Sequence, residues 1–299
     1  MRSGPPAILL AAAVMISAIA IPSAQSARAG SKKLETRLRA IIAASGAEVA
    51  VAFKTLDGRS ETLIDPDRSF HAASTMKVPV MIELFKQSAA GTISLDDPLP
   101  IRNEFRSIVD SSAYTLSEGA DSDKLIYAAI GKTLTLRQLC EAMITVSSNF
   151  AANLLIEKLG VEHIRATVTS LGADGMQVLR GVEDQKAFEK NLNNSTTARG
   201  LLVLFERLGS GTAVSPAADA AMIEVLKRQT FNDGIPAGLP KGIVVAHKTG
   251  NITRIHHDAG IVFAKRPYVL VILVRGIQDI KKSAALMAAI AKAVHAAAE

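Results

Sequence analysis

The sequence predicts an α/β fold: a five-stranded antiparallel sheet flanked by the N- and C-terminal helices, with an all-α domain inserted between its strands. Three observations favour this class. Strand-like segments lie towards both ends of the chain, the long central stretch has mostly helical periodicity, and an Ala-rich helix closes the chain. Because a two-stranded hairpin alone is barely stable in water, the strands from the two ends are expected to pair with one another.

The N-terminal elements follow from hydrophobic spacing and turn residues. Residues 32–44 predict an amphipathic helix. Residues 47–56 and 59–64 predict two strands, joined by the turn Asp57-Gly58, which is typical of hairpins. This part of the chain is therefore expected to supply one helix and the first two strands of the sheet.

The central stretch, from about residue 74 to about residue 228, has a helical pattern. Its clearest helices are predicted at 74–88, 135–145, 149–159, 161–171 and 197–208. Three further strands and a closing helix are predicted beyond it, at 243–249, 259–264, 268–275 and about 279–297.

The order of these elements predicts two domains, for which 299 residues are sufficient. Residues 30–72 and 229–299 are expected to form a discontinuous sheet domain, and residues 73–228 an inserted all-α domain. A cleft is expected where the inserted domain meets the edge of the sheet, which is a usual place for a binding site.

Composition excludes several classes of protein. With 48% hydrophobic and 21% charged residues, disorder and coiled coil are poor interpretations. The single cysteine, Cys140, excludes an intramolecular disulfide, and its apolar helical neighbours favour a small buried side chain over a nucleophile. The formal charge is +6, but the basic residues are scattered and form no stripe with aromatics, so no nucleic-acid partner is expected.

Residues 1–29 have the pattern of a secretory signal peptide. Arg2 precedes an apolar run of about 15 residues, which is short for a bilayer span of roughly 20. Small residues follow, with cleavage candidates at Ala29 and Ala24. The sequence therefore predicts a periplasmic or secreted protein with no stable membrane insertion once the signal is removed. An uncleaved N-terminal anchor is the alternative.

Residues 74–77, Ser-Thr-Met-Lys, open a predicted helix and form the first of three motifs that could carry chemistry. Residues three apart share a helical face, so the Lys77 amine can reach the Ser74 hydroxyl. Burial and the helix N-terminus would lower the lysine pKa, which would let the amine act as a base. Taken alone, a serine at a helix start is more often a cap.

The other two motifs are the triplets 147–149, Ser-Ser-Asn, and 248–250, Lys-Thr-Gly. The first lies between two predicted helices and can present a hydroxyl and an amide to a cleft. The second ends a predicted strand, where Lys248 supplies charge for a carboxylate and Gly250 lets a ligand approach the backbone. The ordinary alternatives are a helix cap for the first triplet and a strand followed by a tight turn for the second. The combination of the three motifs is what indicates a site.

One histidine pair, His256-His257, has neither an H-E-x-x-H pattern nor an obvious third metal ligand. A role in a loop or at a strand start is favoured over zinc. The sequence also lacks the G-x-S-x-G pattern of the α/β-hydrolases. No metal and no cofactor are therefore expected.

In order and spacing, the motifs S-x-x-K, S-x-N and K-T-G resemble those of the penicillin-recognising serine enzymes, and the chain is similar to the class A β-lactamase family. Segments 74–84, 143–155 and 237–250 carry the resemblance, and the order of elements agrees from about residue 32 to residue 299. The resemblance implies the β-lactamase/transpeptidase-like form of the predicted fold.

The resemblance also implies a mechanism. Ser74 would attack a β-lactam or related acyl carbonyl to form an acyl-enzyme, Lys77 would take or relay its proton, and Ser147 would pass a proton to the leaving nitrogen. The backbone N–H groups of Ser74 and Asn251 would form the oxyanion hole. The residues implied in substrate binding are Asn149, Lys248, Thr249, Gly250 and Asn251.

The chain departs from the family pattern in three places. Ser148 stands where class A enzymes usually carry Asp. The family's Glu-Pro-Glu-Leu-Asn run is absent, and Glu183, with Asp184 behind it, is the candidate for the base that activates the deacylating water. A solvated loop acid is the alternative for Glu183. Residues 105–133 are longer than the corresponding class A segment and are expected to reshape one wall of the cleft.

The leading hypothesis is a serine β-lactamase, with a small-molecule β-lactam or peptidoglycan-like compound as substrate and a monomer as the assembly. Two alternatives stay open. One is a penicillin-binding D-alanyl-D-alanine peptidase, or an esterase of the same superfamily, with slow deacylation. The other is a non-catalytic cell-envelope binding protein, against which the intact Ser74, Lys77 and Lys248 count.

Overall fold

The structure, a computed structural model, describes residues 24–299 together with residues 1 and 4. Most of the predicted signal peptide, residues 1–29, lies outside the described residues, and it stays a prediction. In the part of the chain that is described, no helix is both long and apolar enough to cross a membrane.

One antiparallel sheet of five strands forms the centre of the molecule, as predicted. Its strands are β1 (Glu48–Thr55), β2 (Glu61–Ile64), β9 (Val244–Ile252), β10 (Ile255–Phe263) and β11 (Tyr268–Arg275). They pair in the order β2-β1-β11-β10-β9, which joins the two ends of the chain and leaves β9 at one edge.

The sheet is covered on both faces because its strands carry apolar residues on both sides. In the central strand β11, Val269, Val271 and Leu273 face the helical block, whereas Leu270 and Ile272 face the terminal helices. This alternation follows from the two-residue period of a strand. Two apolar layers therefore hold the sheet in place between the terminal helices and the central part of the chain.

Most helices lie close to their predicted positions. Within the described residues the α-helices are α1 (Ala24–Ser45), α2 (Lys77–Ala89), α3 (Leu136–Thr145), α4 (Asn149–Leu159), α5 (Val161–Ser170), α6 (Gln185–Glu189), α7 (Ala198–Gly209), α8 (Pro216–Leu226) and α9 (Ile280–Ala298). Helix α1 begins at residue 24 and not at residue 32, and α6 and α8 were not predicted individually. Side chains of Thr135, Thr197 and Asp279 cap the helices that follow them. These polar oxygens accept backbone N–H groups that have no partner within the helix.

Two differences from the predicted elements affect the site. The helix predicted at 74–88 begins with a 3-10 turn, Ala73–Met76, before α2. Strands β9 and β10 are longer than predicted and are joined by the two-residue turn 253–254, where Arg254 has φ of 60°. The ends of β9 and β10 next to this turn are polar and show no alternation of apolar and polar residues. They could therefore not be predicted as strands from the sequence, and only their pairing in the structure identifies them.

Short strands lie just before and within the central stretch, so the segment predicted as all-α is mostly but not entirely helical. They are β3 (Phe70–His71), β4 (Pro98–Pro100), β5 (Phe105–Arg106), β6 (Ala113–Tyr114), β7 (Thr133–Thr135) and β8 (Ser195–Thr196), and they pair as β3-β8, β4-β7 and β5-β6. The division into domains 30–72 plus 229–299 and 73–228 stays a prediction.

Candidate active site

The turn that carries Ser74 has an unusual backbone. Ala73 has φ of 45°, a left-handed conformation that is uncommon for a residue with a Cβ atom. The turn is held by the Thr75 hydroxyl, which donates to the Ala72 carbonyl at 2.6 Å, and by the Ala73 N–H, which donates to His71 Nδ1 at 3.0 Å. Thr75 is fully buried whereas Ser74 is half-buried, so the strained turn presents Ser74 to the cleft.

The edge strand β9 approaches this turn closely at Gly250. A Cβ atom added to Gly250 would lie 3.1 Å from the Ser74 backbone nitrogen and 3.2 Å from the Ala72 carbonyl oxygen. A larger residue would push the strand away from the turn. The glycine therefore brings the backbone around Asn251 next to that of Ser74, and both residues line the same cavity.

Lys77 follows Ser74 by three residues, about one helical turn, and its amine is the first of two at the site. It is fully buried and donates to the Ser147 carbonyl at 2.6 Å, to Asn149 Oδ1 at 2.8 Å and to Ser147 Oγ at 3.3 Å. Among the hydrogen bonds of the described residues, none joins Lys77 to the Ser74 hydroxyl, contrary to the contact expected from their spacing. Three acceptors from the 147–149 loop hold the amine instead.

A second buried amine, that of Lys248, reaches the same loop from β9. It donates to Ser147 Oγ at 2.9 Å and to the Thr249 carbonyl at 2.9 Å. Ser147 has φ of 60°, so its hydroxyl is also presented by a left-handed residue, between the end of α3 and the start of α4. The Ser147 hydroxyl is therefore the point at which the two amines meet.

Burial makes the charged form of both amines unfavourable. It lowers the pKa of Lys77 to about 7, against the opposing effect of the carboxylates of Asp121 and Glu183. Burial also lowers the pKa of Lys248, and the neighbouring charge of Lys77 lowers it further. Near neutral pH the Lys77 amine is therefore available in its neutral form, which can accept a proton.

Asn149 connects the Lys77 amine to a carboxylate. Its Oδ1 accepts from Lys77, and its Nδ2 donates to Glu183 Oε1 at 3.0 Å. Although Glu183 is exposed overall, its carboxylate is held at the cleft, and the residue has φ of 63°. The structure thus brings Glu183 to the other predicted residues.

Two adjoining cavities, of about 340 Å³ and about 300 Å³, form the cleft between the sheet edge and the helical block. Both are lined by Ser74, Asn149 and Asn251, so the Ser74 hydroxyl lies where they meet. The predicted residues assembled around this point are Ser74, Lys77, Ser147, Asn149, Glu183, Lys248, Thr249, Gly250 and Asn251.

Asp121, which was not predicted from the sequence, is buried against the start of α4. Its carboxylate accepts the backbone N–H of Asn149 at 3.0 Å and that of Phe150 at 2.8 Å. Ser148, at the position where the family usually has Asp, caps the same helix by accepting the Ala151 N–H at 3.2 Å. A carboxylate from residue 121 therefore supplies negative charge at this helix N-terminus, where the macrodipole favours it.

Replacing Asp121 with Asn is expected to lower the free energy of unfolding by about 1–2 kcal/mol, because a charged acceptor is lost from the N-terminus of α4. It should also lower the pKa of Lys77 further, since the Asp121 charge raises that pKa. Chemical denaturation and the pH dependence of acylation measure these effects. Asp123→Asn is the control: the Asp123 carboxylate is also buried but accepts the Leu125 N–H and caps no α-helix. Equal losses in the two variants would contradict this role for Asp121.

Of the histidine pair, His257 lies in the packed interior, whereas His256 lines the cavity of about 300 Å³. His257 Nε2 bonds to the His71 carbonyl at 2.9 Å and its Nδ1 accepts the Val274 N–H at 3.1 Å, while burial lowers its pKa to about 4. This ring therefore joins β10 to β11 and to the segment before Ser74.

Burial raises the pKa of Cys140 to about 12, which disfavours a thiolate. No group of three metal-ligating side chains occurs among the residues that the structure describes.

The chain is similar to known β-lactamases over most of its length. The family model described as the β-lactamase enzyme family matches residues 33–298. A β-lactamase of Citrobacter koseri is 25% identical over 252 residues, which are 83% of this chain and 81% of that protein. The β-lactamase AST-1 of Nocardia asteroides is 29% identical over 254 residues, 82% of this chain and 76% of that protein.

The fold is also similar to that of PBP-A. A mutant of that protein, solved as an acyl-enzyme complex with penicillin G, superimposes with a TM-score of 0.76 and 26% identity. The superposition covers 89% of this chain and 96% of that one. The similarity therefore extends over nearly all of both chains.

Proposed function

The chain belongs to the β-lactamase enzyme family, and we propose that it hydrolyses β-lactams through an acyl-enzyme formed on Ser74. One observation carries the proposal: two buried amines converge on the Ser147 hydroxyl beside Ser74, with the Glu183 carboxylate held at the same cleft. This is the set of groups that an acyl transfer needs, namely a nucleophile, a base, a proton donor and a second base for water.

In the first step, Ser74 Oγ attacks the lactam carbonyl carbon while its proton passes to the neutral Lys77 amine. Burial supports this role because it lowers the pKa of Lys77 to about 7. The carbonyl oxygen becomes an oxyanion that the backbone N–H groups of Ser74 and Asn251 stabilise. The close approach of Gly250 to the Ser74 nitrogen supports this pairing of donors.

In the second step, the lactam C–N bond breaks and Ser147 Oγ donates a proton to the leaving nitrogen. The hydroxyl can regain a proton from Lys77, at 3.3 Å, or from Lys248, at 2.9 Å. Lys248 and Thr249 bind the substrate carboxylate, whose negative charge favours the ammonium form of Lys248 over the neutral form that burial favours.

In the third step, Glu183 takes a proton from a water molecule as the water oxygen attacks the acyl ester carbon. The bond between that carbon and Ser74 Oγ then breaks, and the proton passes from Glu183 to Ser74 Oγ, which restores the serine hydroxyl and the Glu183 carboxylate. The hydrogen bond from Asn149 Nδ2 to Glu183 Oε1 supports this role because it holds the carboxylate within the cleft that Ser74 lines. Asn149 also holds Lys77, so one amide orients both proposed bases.

A second candidate function is a penicillin-binding peptidase that deacylates slowly. Similarity to PBP-A and the absence of the Glu-Pro-Glu-Leu-Asn run around Glu183 favour it. Sustained hydrolysis of a chromogenic cephalosporin would support the β-lactamase, whereas a burst of one equivalent followed by a stable adduct would support the peptidase. Failure to form any adduct would exclude both.

The rate of acylation is expected to depend on the protonation of Lys77. Its neutral form can accept the Ser74 proton, so the acylation rate should rise about tenfold per pH unit below pH 7 and level off above it. Rapid-quench mass spectrometry of adduct formation between pH 5 and pH 9 measures this profile. In Lys77→Arg the rise should disappear together with most of the activity, because a guanidinium is not deprotonated. A flat profile in the wild type would exclude Lys77 as the base.

Export to the periplasm or the cell exterior is part of the proposal and is supported by the signal-like pattern of residues 1–29. We also propose that the protein is a monomer and that its substrate is a β-lactam or a peptidoglycan-like compound.

A further inference from the structure

Residues 105–133, predicted from the sequence to be longer than the corresponding class A segment, begin with a two-stranded ribbon. Its strands β5 and β6 pair at Phe105–Tyr114 and Arg106–Ala113. Residues 107–112 connect the two strands, and this tip contacts the loop of residues 180–194, which contains Glu183. The ribbon is thus placed to affect that loop without itself lining the two cavities that Ser74 lines.

Asp184 makes a buried contact between ribbon and loop, in addition to the exposed contact of Lys186 with Asp110 and Ser112. The Asp184 side chain is only 2% exposed, and both carboxylate oxygens are occupied. Oδ1 accepts the Ser107 hydroxyl at 2.9 Å and the Ala187 N–H at 3.2 Å, and Oδ2 accepts the Ile108 N–H at 2.9 Å. A buried carboxylate needs such donors, since burial without them would be costly. Asp184 therefore ties the ribbon tip to the loop immediately after Glu183.

The residue before Glu183 is held as well. Val182 donates its N–H to Asn153 Oδ1 at 2.7 Å, and its carbonyl accepts from Asn153 Nδ2 at 3.0 Å. The Tyr114 hydroxyl of the ribbon lies 3.4 Å from the same carbonyl. Glu183 is therefore a residue in the left-handed region between two fixed neighbours.

We propose that Asp184 is a positioning residue for Glu183, and that the ribbon tip at Ser107 and Ile108 is the anchor through which it acts. This inference rests on the proposed role of Glu183 in deacylation. A left-handed conformation is unfavourable for a residue with a Cβ atom and persists only where its surroundings impose it. Releasing Asp184 from the ribbon lets the backbone at residue 183 relax and turns the carboxylate away from Asn149.

Acylation and deacylation depend on the ribbon to different extents. Acylation uses Ser74, Lys77 and Ser147, whose hydrogen bonds in the described part of the chain do not involve the ribbon, whereas deacylation uses Glu183. Misplacing a catalytic group by about 1 Å can cost roughly a hundredfold in rate. Loosening the anchor is therefore expected to slow deacylation by about 10–100-fold and to leave acylation nearly unchanged.

The test compares Ser107→Ala and Asp184→Asn with the wild type, using a chromogenic cephalosporin and intact-mass spectrometry. Arg106→Ala is the matched control, because Arg106 lies on the same ribbon and its side chain bonds to Glu104 and to the Ser111 carbonyl, not to the 180–194 loop. When deacylation limits turnover, kcat and KM should fall together in the two test variants while kcat/KM stays constant. A fall in the folded fraction alone would lower kcat and leave KM unchanged.

Hydrogen exchange of the 180–194 amides is measured on the same proteins without substrate. We expect faster amide hydrogen exchange in this loop for Ser107→Ala and Asp184→Asn, and no change for Arg106→Ala. Faster exchange with an unchanged acyl-enzyme lifetime would overturn the proposal, as would unchanged exchange. If the wild type forms no adduct, the proposed function fails, and the exchange comparison alone decides whether the anchor holds the loop.

Discussion

Replacing Ser74 with Ala is expected to abolish covalent labelling by a penicillin and to lower the rate of β-lactam hydrolysis by about 10⁴-fold or more. No other hydroxyl is expected to substitute for it. Ser147 Oγ is bonded to the two amines and is placed to donate a proton to the leaving nitrogen. The residual rate would come from substrate binding and the oxyanion donors alone.

Intact-mass spectrometry after brief exposure to benzylpenicillin measures the adduct, and peptide mapping locates it. Ser122→Ala is the control, because Ser122 lines the same cleft but donates its hydroxyl to the Val146 carbonyl at 2.6 Å. That variant should still be labelled. An adduct that persists in Ser74→Ala would remove Ser74 from its role and, with it, the proposed mechanism.

The parts of the cleft that sequence could predict are those encoded locally. Ser74 and Lys77 are separated by one turn, and the triplets 147–149 and 248–250 each occupy one loop or one strand end. The fold could be predicted for a similar reason, since the short apolar, β-branched run of β11 and the helical period of α4 appear directly in the sequence.

The parts that could not be predicted depend on contacts between distant residues. Asp121 bonds to a backbone N–H 28 positions away, and Asp184 accepts a hydroxyl 77 positions away. Nothing in the sequence around either residue marks it as buried. The orientation of Lys77 could not be predicted either, because its acceptors lie some 70 residues further along the chain and take the amine in place of Ser74.

Replacing Glu183 with Gln is expected to trap the acyl-enzyme, because the amide cannot take a proton from water although it is almost the same size. Deacylation should slow by about 10²–10⁴-fold, which is the usual contribution of a general base. Acylation should stay within a few-fold of the wild type, since Lys77 serves that step. The adduct mass followed over time after a pulse of benzylpenicillin gives both rates.

The control for this variant is Glu189→Gln, which changes an exposed acid at the end of α6 whose carboxylate accepts from Gln185 at 3.1 Å. Turnover in Glu183→Gln that equals the wild-type rate would show that the base is elsewhere. Asp184 could not replace it, since both of its oxygens already accept hydrogen bonds. A wild-type adduct as long-lived as that of Glu183→Gln would instead favour the slowly deacylating peptidase, because Glu183 would then be held at the cleft without activating water.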